Sequence, residues 1–310
     1  MWWRSSIGLD IDIKYIKALQ LERKKGKNFV RYGITPTPPG AIIEGKACNI
    51  ALLSEAIKNL IKDNKFKDKK VIASLPDNAV TLRYIYLPVM TEKELAEAVK
   101  WESMDYFPES KGNISLDYKV LGFIERGYVS NIEREMRVLL AAVEEDLVMG
   151  YIKALQNSGL YPVAIEPSPV SIWRGTGRYL KKPTAVIDME GGIVNVTLIK
   201  EGFLHSSRLI PGIFSGMDDI GYIPREIGRF LDFYRSQNGG RGIEDIVLAG
   251  EASCLPAFSN AVTELTGLKV LDADILRDFN TAEGNPGDFK TDRSFLFTTF
   301  GLSLRRRGSS

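Results

Sequence analysis

The 310-residue sequence predicts an α/β protein of two domains, made by repeating one strand-turn-strand unit, with a smaller module inserted into the first domain. Three observations carry this. IGLDIDIKYIKALQL from Ile7 and TAVIDMEGGIVNVTLIKEG from Thr184 share a plan in which an apolar strand reaches an aspartate, Asp10 or Asp188, then turns back as a second strand. Each unit is followed by a helical stripe and a further apolar strand. A hydrophobic content of 44% supplies enough apolar material for two cores.

In chain order, IGLDI and IKALQL predict the opening strand pair and FVRYGITPT a third strand. Asn49 caps a helix whose face is Leu53, Ala56, Ile57, Leu60 and Ile61, and the Lys-rich KDNKFKDKK leads as a solvated loop into the buried strand VIASL. VTLRYIYL alternates as a strand, TEKELAEAVKWESMDYF is helical with a Thr91/Glu94 capping box, and ISLDYKVL and MRVLLAAV alternate again. The helical stripe Leu147, Val148, Tyr151, Ile152 and Leu155 ends at Gly159, a left-handed cap, before the strand YPVAIEP. This order predicts a βαββαβ module over residues 79–167, inserted into a first domain of residues 1–78 and 168–182, to which a short helix at SPVSIWRG returns the chain. The second domain takes residues 183–310, with a small subdomain around 213–242. Its predicted elements are a helix from Pro224 with the stripe Ile227, Phe230, Leu231 and Tyr234, the strand-plus-glycine IEDIVLAGEA, the helix LPAFSNAVTELTG and a last helix in LFTTFGLSLR.

Composition excludes several function classes. Lys plus Arg number 41 against 39 for Asp plus Glu, so no overall field draws the chain to nucleic acid. Cys48 and Cys254 belong to no CxxC or Cys/His cluster and read as reduced, packed thiols of a cytoplasmic protein. No apolar run approaches the roughly 18 residues of a membrane helix, and MWWRSS is followed by no apolar signal-peptide core. His205 is the only histidine and falls inside a strand, so a packed role is expected rather than Ser-His or Cys-His chemistry. Gly40, Gly45 and Lys46 satisfy GxxxxGK, yet Ala47 stands where a phosphate loop needs a hydroxyl, and Thr35-Pro-Thr-Pro-Pro39 precedes it in place of a buried strand.

The two Asp-ended turns, with the strand-glycine-helix unit from Leu248 to Ala252, resemble the phosphate and adenosine loops of the actin, hexokinase and FtsA superfamily. More closely, IGLDIDIKYIKALQL, TPTPPGAIIEGKACN, VIASLP, VKWESMDYFPES and FGLSLR, in that order, resemble the PilM family of type IV pilus assembly proteins over essentially the whole chain. The resemblance implies an actin-like, duplicated ribonuclease H-like fold with the inserted module at the position FtsA uses. It also implies a cleft for ATP and Mg2+. Asp10, Asp12 and Lys14 then fall in the first phosphate loop, Asp188, Gly191 and Gly192 in the second, and Glu226, Gly250 and Glu251 on the adenosine side, with Asp10 and Asp188 reaching Mg2+ through water. Asp12 and Glu190 stand where the family has glycine, and each puts a carboxylate against a polyphosphate, a repulsion of about 1 to 4 kcal/mol. Two readings follow: a working nucleotide site, or two aspartates that merely cap turns in a degenerate cleft.

In the inserted module Leu95, Ala98, Val99 and Tyr106 share one helix face, while Trp101 and Met104 point elsewhere. They pack under a neighbouring domain or meet a partner. The resemblance implies that the groove between the first domain and this module receives the short N-terminal segment of the membrane protein PilN, with Trp101, Tyr106, Phe107 and Pro108 as candidates for the groove or its rim. Other pilus assembly proteins are implied partners, at the inner face of the cytoplasmic membrane. Trp2, Trp3, Arg4 and Arg305 to Arg307 are either frayed ends or membrane-touching groups. The functional expectation is a scaffold; the rivals are an actin-like ATPase that polymerises or cycles, and a sugar or metabolite kinase.

Overall fold

The same five-strand pattern is laid down twice, once in each half of the chain. The computed structural model describes residues 3–106, 113–126, 133–177, 179–212, 214, 221–271, 274–282 and 293–305. Behind the short Trp3–Arg4 (β1), the strands Ile7–Ile11 (β2), Tyr15–Lys24 (β3) and Lys27–Pro36 (β4) run as an antiparallel meander. A small ribbon, Ile42–Ile43 (β5) with Lys46–Ala47 (β6), precedes the helix Ile50–Asp63 (α1). The predicted cap is in place, with Asn49 Oδ1 accepting from the Leu52 N–H at 3.0 Å. Lys70–Ser74 (β7) then returns parallel to β2.

A separate antiparallel sheet, in the order β8-β10-β9, follows from Thr81–Pro88 (β8), Ile114–Arg126 (β9) and Glu133–Glu144 (β10), with the helix Glu92–Tyr106 (α2) on one face. The Thr91/Glu94 capping box closes α2 reciprocally, through Thr91 N–H to Glu94 Oε2 at 2.8 Å and Glu94 N–H to Thr91 Oγ1 at 3.4 Å. Glu145–Asn157 (α3) and Tyr161–Glu166 (β11), which the sequence grouped with this module, pack elsewhere. The α3 stripe joins α1 in the first core, where Tyr151, Ala154 and Leu155 meet Leu53 and Ile57, and β11 pairs parallel with β7. Element order is legible in a sequence; the sheet edge that a strand joins is not.

Ser168–Thr176 (α4) leads to the second meander, Thr184–Glu190 (β12), Ile193–Lys200 (β13) and Phe203–Ile210 (β14). Then come Tyr222–Gln237 (α5), Asp245–Gly250 (β15) parallel to β12, a 3-10 turn at Glu251–Cys254, Pro256–Thr266 (α6) and Lys269–Leu271 (β16). The order β14-β13-β12-β15-β16 repeats β4-β3-β2-β7-β11, which makes this the duplicated actin-like fold. The last segment crosses back: Asn280–Thr281 (β17) pairs with β4, and Phe297–Ser303 (α7) lies against β2 and α4.

Helices α4 and α7 form the layer between the sheets. Ile172 and Phe300 share one cluster with Leu19 and Tyr32 of the first sheet and Val186 and Val247 of the second. Their close approach needs glycine, since a Cβ on Gly301 would stand 1.7 Å from the Ser171 carbonyl oxygen. Among the described residues no helix is long and apolar enough to cross a membrane.

Candidate functional site

The two halves face each other across a cleft at the ends of β2 and β12. Asp10 lies directly opposite Lys17 in the β2–β3 register, and Asp188 opposite Asn195 in β12–β13, so the duplication gives each half an aspartate with a cross-strand partner. Lys17 Nζ is 2.7 Å from Asp10 Oδ2 and also ion-pairs with Glu190 Oε1 of the other half. The Lys17 side chain is only 1% exposed. Ser74 donates to Asp10, Ser168 donates to Asp77 and Thr298 Oγ1 lies 3.5 Å from Asp188 Oδ2.

A second tie lies beside the first. Gly191 and Gly192, at φ 57° and 81°, form the two-residue turn of the β12–β13 hairpin. The Gly191 N–H donates to Glu251 Oε1 at 2.9 Å, while Glu251 Oε2 takes Lys14 Nζ of the first half at 2.5 Å. A Cβ on Gly191 would lie 2.8 Å from Asp12 Oδ1, so the tips of the two turns touch. Gly250, at φ 62°, lets β15 pass β12, because a Cβ there would strike the Met189 carbonyl oxygen at 2.2 Å.

Five carboxylates, those of Asp10, Asp12, Asp77, Asp188 and Glu190, line this buried cleft around one ammonium. Burial pushes Asp12 and Asp77 up to about 6 and Asp188 up to about 7. Burial raises Glu190 well above the usual carboxylate range, with the Asp10 charge adding to it. Burial works the same way on Asp10 and is the largest single influence there, but the Lys17 charge together with hydrogen bonds from Lys17, Ser74 and Glu190 holds Asp10 below its ordinary value. For Lys17 itself, burial opposes the charge, and the surrounding Asp10, Glu190 and Asp188 override it and keep the ammonium protonated.

This arrangement does not fit Mg2+ or a polyphosphate. Mg2+ takes carboxylate and water oxygens in an octahedron, and among the described residues no group of three or more His, Cys, Asp or Glu side chains is arranged to hold a metal. Lys17 already supplies the cation at Asp10. The cavity between Asp10, Asp12, Asp188 and Glu190 measures about 20 Å³, space for a single water. Gly191, whose N–H would face a phosphate oxygen, is engaged by Glu251. Glu226 pairs with Arg229 on its own helix and does not line this cavity. The structure places Asp10, Asp12, Lys14, Asp188, Gly191, Gly192, Gly250 and Glu251 around this cleft and adds Lys17, Ser74, Asp77 and Ser168, which the sequence reading left out. Lys17 had a signal. A lysine between Ile16 and Ala18 in an apolar strand needs a buried partner.

A second concavity, of about 590 Å³, lies between the first domain and the β8-β10-β9 sheet. Leu139, Ala141 and Val143 of β10 form one wall, Val148, Ile165 and Val170 the other, and Trp173 closes it. At one end Glu166 binds Arg174 and Arg305, with Arg305 Nη1 at 2.8 Å. Strand β10 is apolar on both sides: Met136, Val138 and Leu140 pack under α2 while Leu139, Ala141 and Val143 face the groove. The doubly apolar MRVLLAAV was the available signal for this groove.

Of the expected partner residues, Trp101 sits away from it. Leu95 and Val99 seat α2 on the far face of the sheet, leaving Trp101 70% and Met104 57% exposed there. Tyr106 ends α2, and Phe107 and Pro108 lie outside the described residues, as do Trp2, Arg306 and Arg307. His205 packs edge-on to Tyr234, and burial lowers it to about 4, consistent with a packed role.

A family model, type IV pilus assembly protein PilM, matches residues 8–169. Among solved structures, a PilM-PilN type IV pilus biogenesis complex matches 97% of this chain and 98% of that one at 22% identity and a TM-score of 0.81. The ethanolamine utilization protein EutJ from Carboxydothermus hydrogenoformans matches at 11% identity and a TM-score of 0.52, over 98% of this chain and 89% of that one. The cytoplasmic domain of EpsL, an inner membrane component of the Vibrio cholerae type II secretion system, matches at 9% identity and a TM-score of 0.50, over 99% and 97%. With more than half the sequence inside the family match and the duplicated fold complete, this chain belongs to the PilM family of type IV pilus assembly proteins.

Proposed function

We propose that the chain is a cytoplasmic scaffold of type IV pilus assembly that holds the short N-terminal segment of a PilN-like inner-membrane protein in the groove between the first domain and the β8-β10-β9 sheet. The observation carrying this reading is the groove itself, about 590 Å³ with apolar walls and a polar end at Glu166, Arg174 and Arg305. Such a shape suits an extended apolar segment whose side chains enter the walls and whose polar groups fix its register. A structurally similar protein is described as a complex of PilM with PilN. The partner would carry the scaffold to the inner face of the cytoplasmic membrane, where it meets other pilus assembly proteins.

In this reading the scaffold works without nucleotide, which is neither its substrate nor needed for capture of the partner. An ATPase or a sugar kinase needs room for a triphosphate and a base for its nucleophile, and the cleft offers about 20 Å³ closed by ion pairs.

Filling the groove tests the proposal. Ala141→Phe places a ring against Val143 and Ile165 and is expected to weaken capture of a PilN-like N-terminal peptide at least ten-fold, about 1.4 kcal/mol in a calorimetric titration. An unchanged affinity would place the partner elsewhere.

A further inference from the structure

We infer that the interdomain cleft is held shut by the chain's own side chains, with the Lys17 ammonium in place of a divalent cation and the Glu190 and Glu251 carboxylates in place of phosphate oxygens, so that closure needs no nucleotide.

An actin-like cleft closes when something between its halves attracts both. An anion can bridge backbone N–H groups of a tight turn to cations opposite, and a cation can bridge facing carboxylates. Both kinds of bridge are present here and both are intramolecular. Lys17 stands on Asp10 of its own half at 2.7 Å and reaches Glu190 of the other half. Glu251 accepts the Gly191 N–H at 2.9 Å in its own half and binds Lys14 of the other at 2.5 Å. The cation bridge and the anion bridge run in opposite directions across the cleft, one side chain from each half.

The remaining geometry leaves nothing for a ligand to do. Asp12 Oδ1 accepts the Lys14 N–H at 3.1 Å and abuts Gly191, so the first turn is ordered by its own carboxylate where a glycine would leave its amides open. Lys17 is buried and embedded in carboxylates, so removing its charge would leave Asp10 and Glu190 without a counter-ion. The substitutions that deny phosphate its place also take over its mechanical role. This inference is independent of the groove reading, because peptide capture is not part of its test.

The test uses the full chain in two arms. In the first, Mg-ATP, and MgCl2 alone, are titrated calorimetrically and in thermal melts. No binding heat and an unchanged melting temperature are expected at about 1 mM, where a ligand with a micromolar dissociation constant would raise the melting temperature by several degrees. In the second, hydrogen exchange is followed at the turns 12–15 and 190–193 in Lys17→Met and in Glu251→Ala, the latter serving if the buried substitution fails to fold. Exchange at these turns is expected to quicken at least about ten-fold in either variant while the β9–β10 ladder stays as protected as in wild type. Mg-ATP binding to wild type below about 100 μM overturns the inference. So does unaltered exchange at both turns.

Discussion

Lys17 of the first half and Glu190 of the second are ion-paired across the cleft that defines this fold, with Asp10 holding the lysine from behind at 2.7 Å. The contact joins a residue in the middle of a buried strand to the last residue of a strand 173 positions away. Buried ion pairs of this kind add little over an apolar contact of equal volume, but breaking one from a single side is costly. The cleft is therefore committed to both partners at once.

Lys17→Met keeps the volume of the stem and removes the charge. It leaves Asp10 and Glu190 facing each other in a buried site, and a loss of about 3 to 5 kcal/mol is expected in urea denaturation. Adding Asp10→Asn and Glu190→Gln to it should restore part of that loss, since the charges are then removed together. A single variant as stable as wild type would mean that the pair carries no constraint.

The acidic cleft sets a pH dependence. Asp12 and Asp77 are raised to about 6 and Asp188 to about 7, all by burial, so the folded chain binds more protons than the unfolded chain from about pH 4 to 7. A raised carboxyl contributes its stability below the unfolded value and loses it as pH rises through the folded value. The chain is expected to be more stable near pH 5.5 than near pH 8, by on the order of 2 kcal/mol, in denaturation at the two values. Greater stability at the alkaline value would contradict this electrostatic account.

Trp101 stands on the solvent side of α2, on the opposite face of the sheet from the groove wall. Trp101→Ala is expected to leave PilN-like peptide affinity within about two-fold and stability within about 0.5 kcal/mol. A ten-fold weakening would bring the α2 face into the partner site.

Gly301→Ala tests the central layer. The added methyl would stand 1.7 Å from the Ser171 carbonyl, so α4 and α7 must separate, at a cost of about 3 kcal/mol in thermal or urea unfolding. A loss under about 1 kcal/mol would show that the two helices repack freely.

The duplication was legible because each repeat states its own plan. A strand ending in aspartate and a tight turn recur at Asp10 and Asp188, and local signals such as the Asn49 cap and the Thr91/Glu94 box need only neighbours a few residues away. The cleft was half legible. Asp12 and Glu190 announce acid where phosphate would lie, but Glu190 and the adenosine-side Glu251 turn into a latch only through Lys17 and Lys14, contacts 173 and 237 positions apart in the chain. The proposed groove was not legible from the α2 stripe for a similar reason. The stripe on α2 is visible on a helical wheel, whereas the groove depends on the placement of α3 and β11 in the first domain. Apolar residues on both faces of β10 are the sequence signal for that groove.

The most direct measurement is the affinity of a PilN-like N-terminal peptide for the full chain, by calorimetry, with and without Mg-ATP, in wild type and Ala141→Phe. The scaffold account predicts that wild type binds, that Mg-ATP leaves the affinity within about two-fold, and that Ala141→Phe weakens it at least about ten-fold. Absence of peptide binding, or binding that appears only with Mg-ATP, would contradict it.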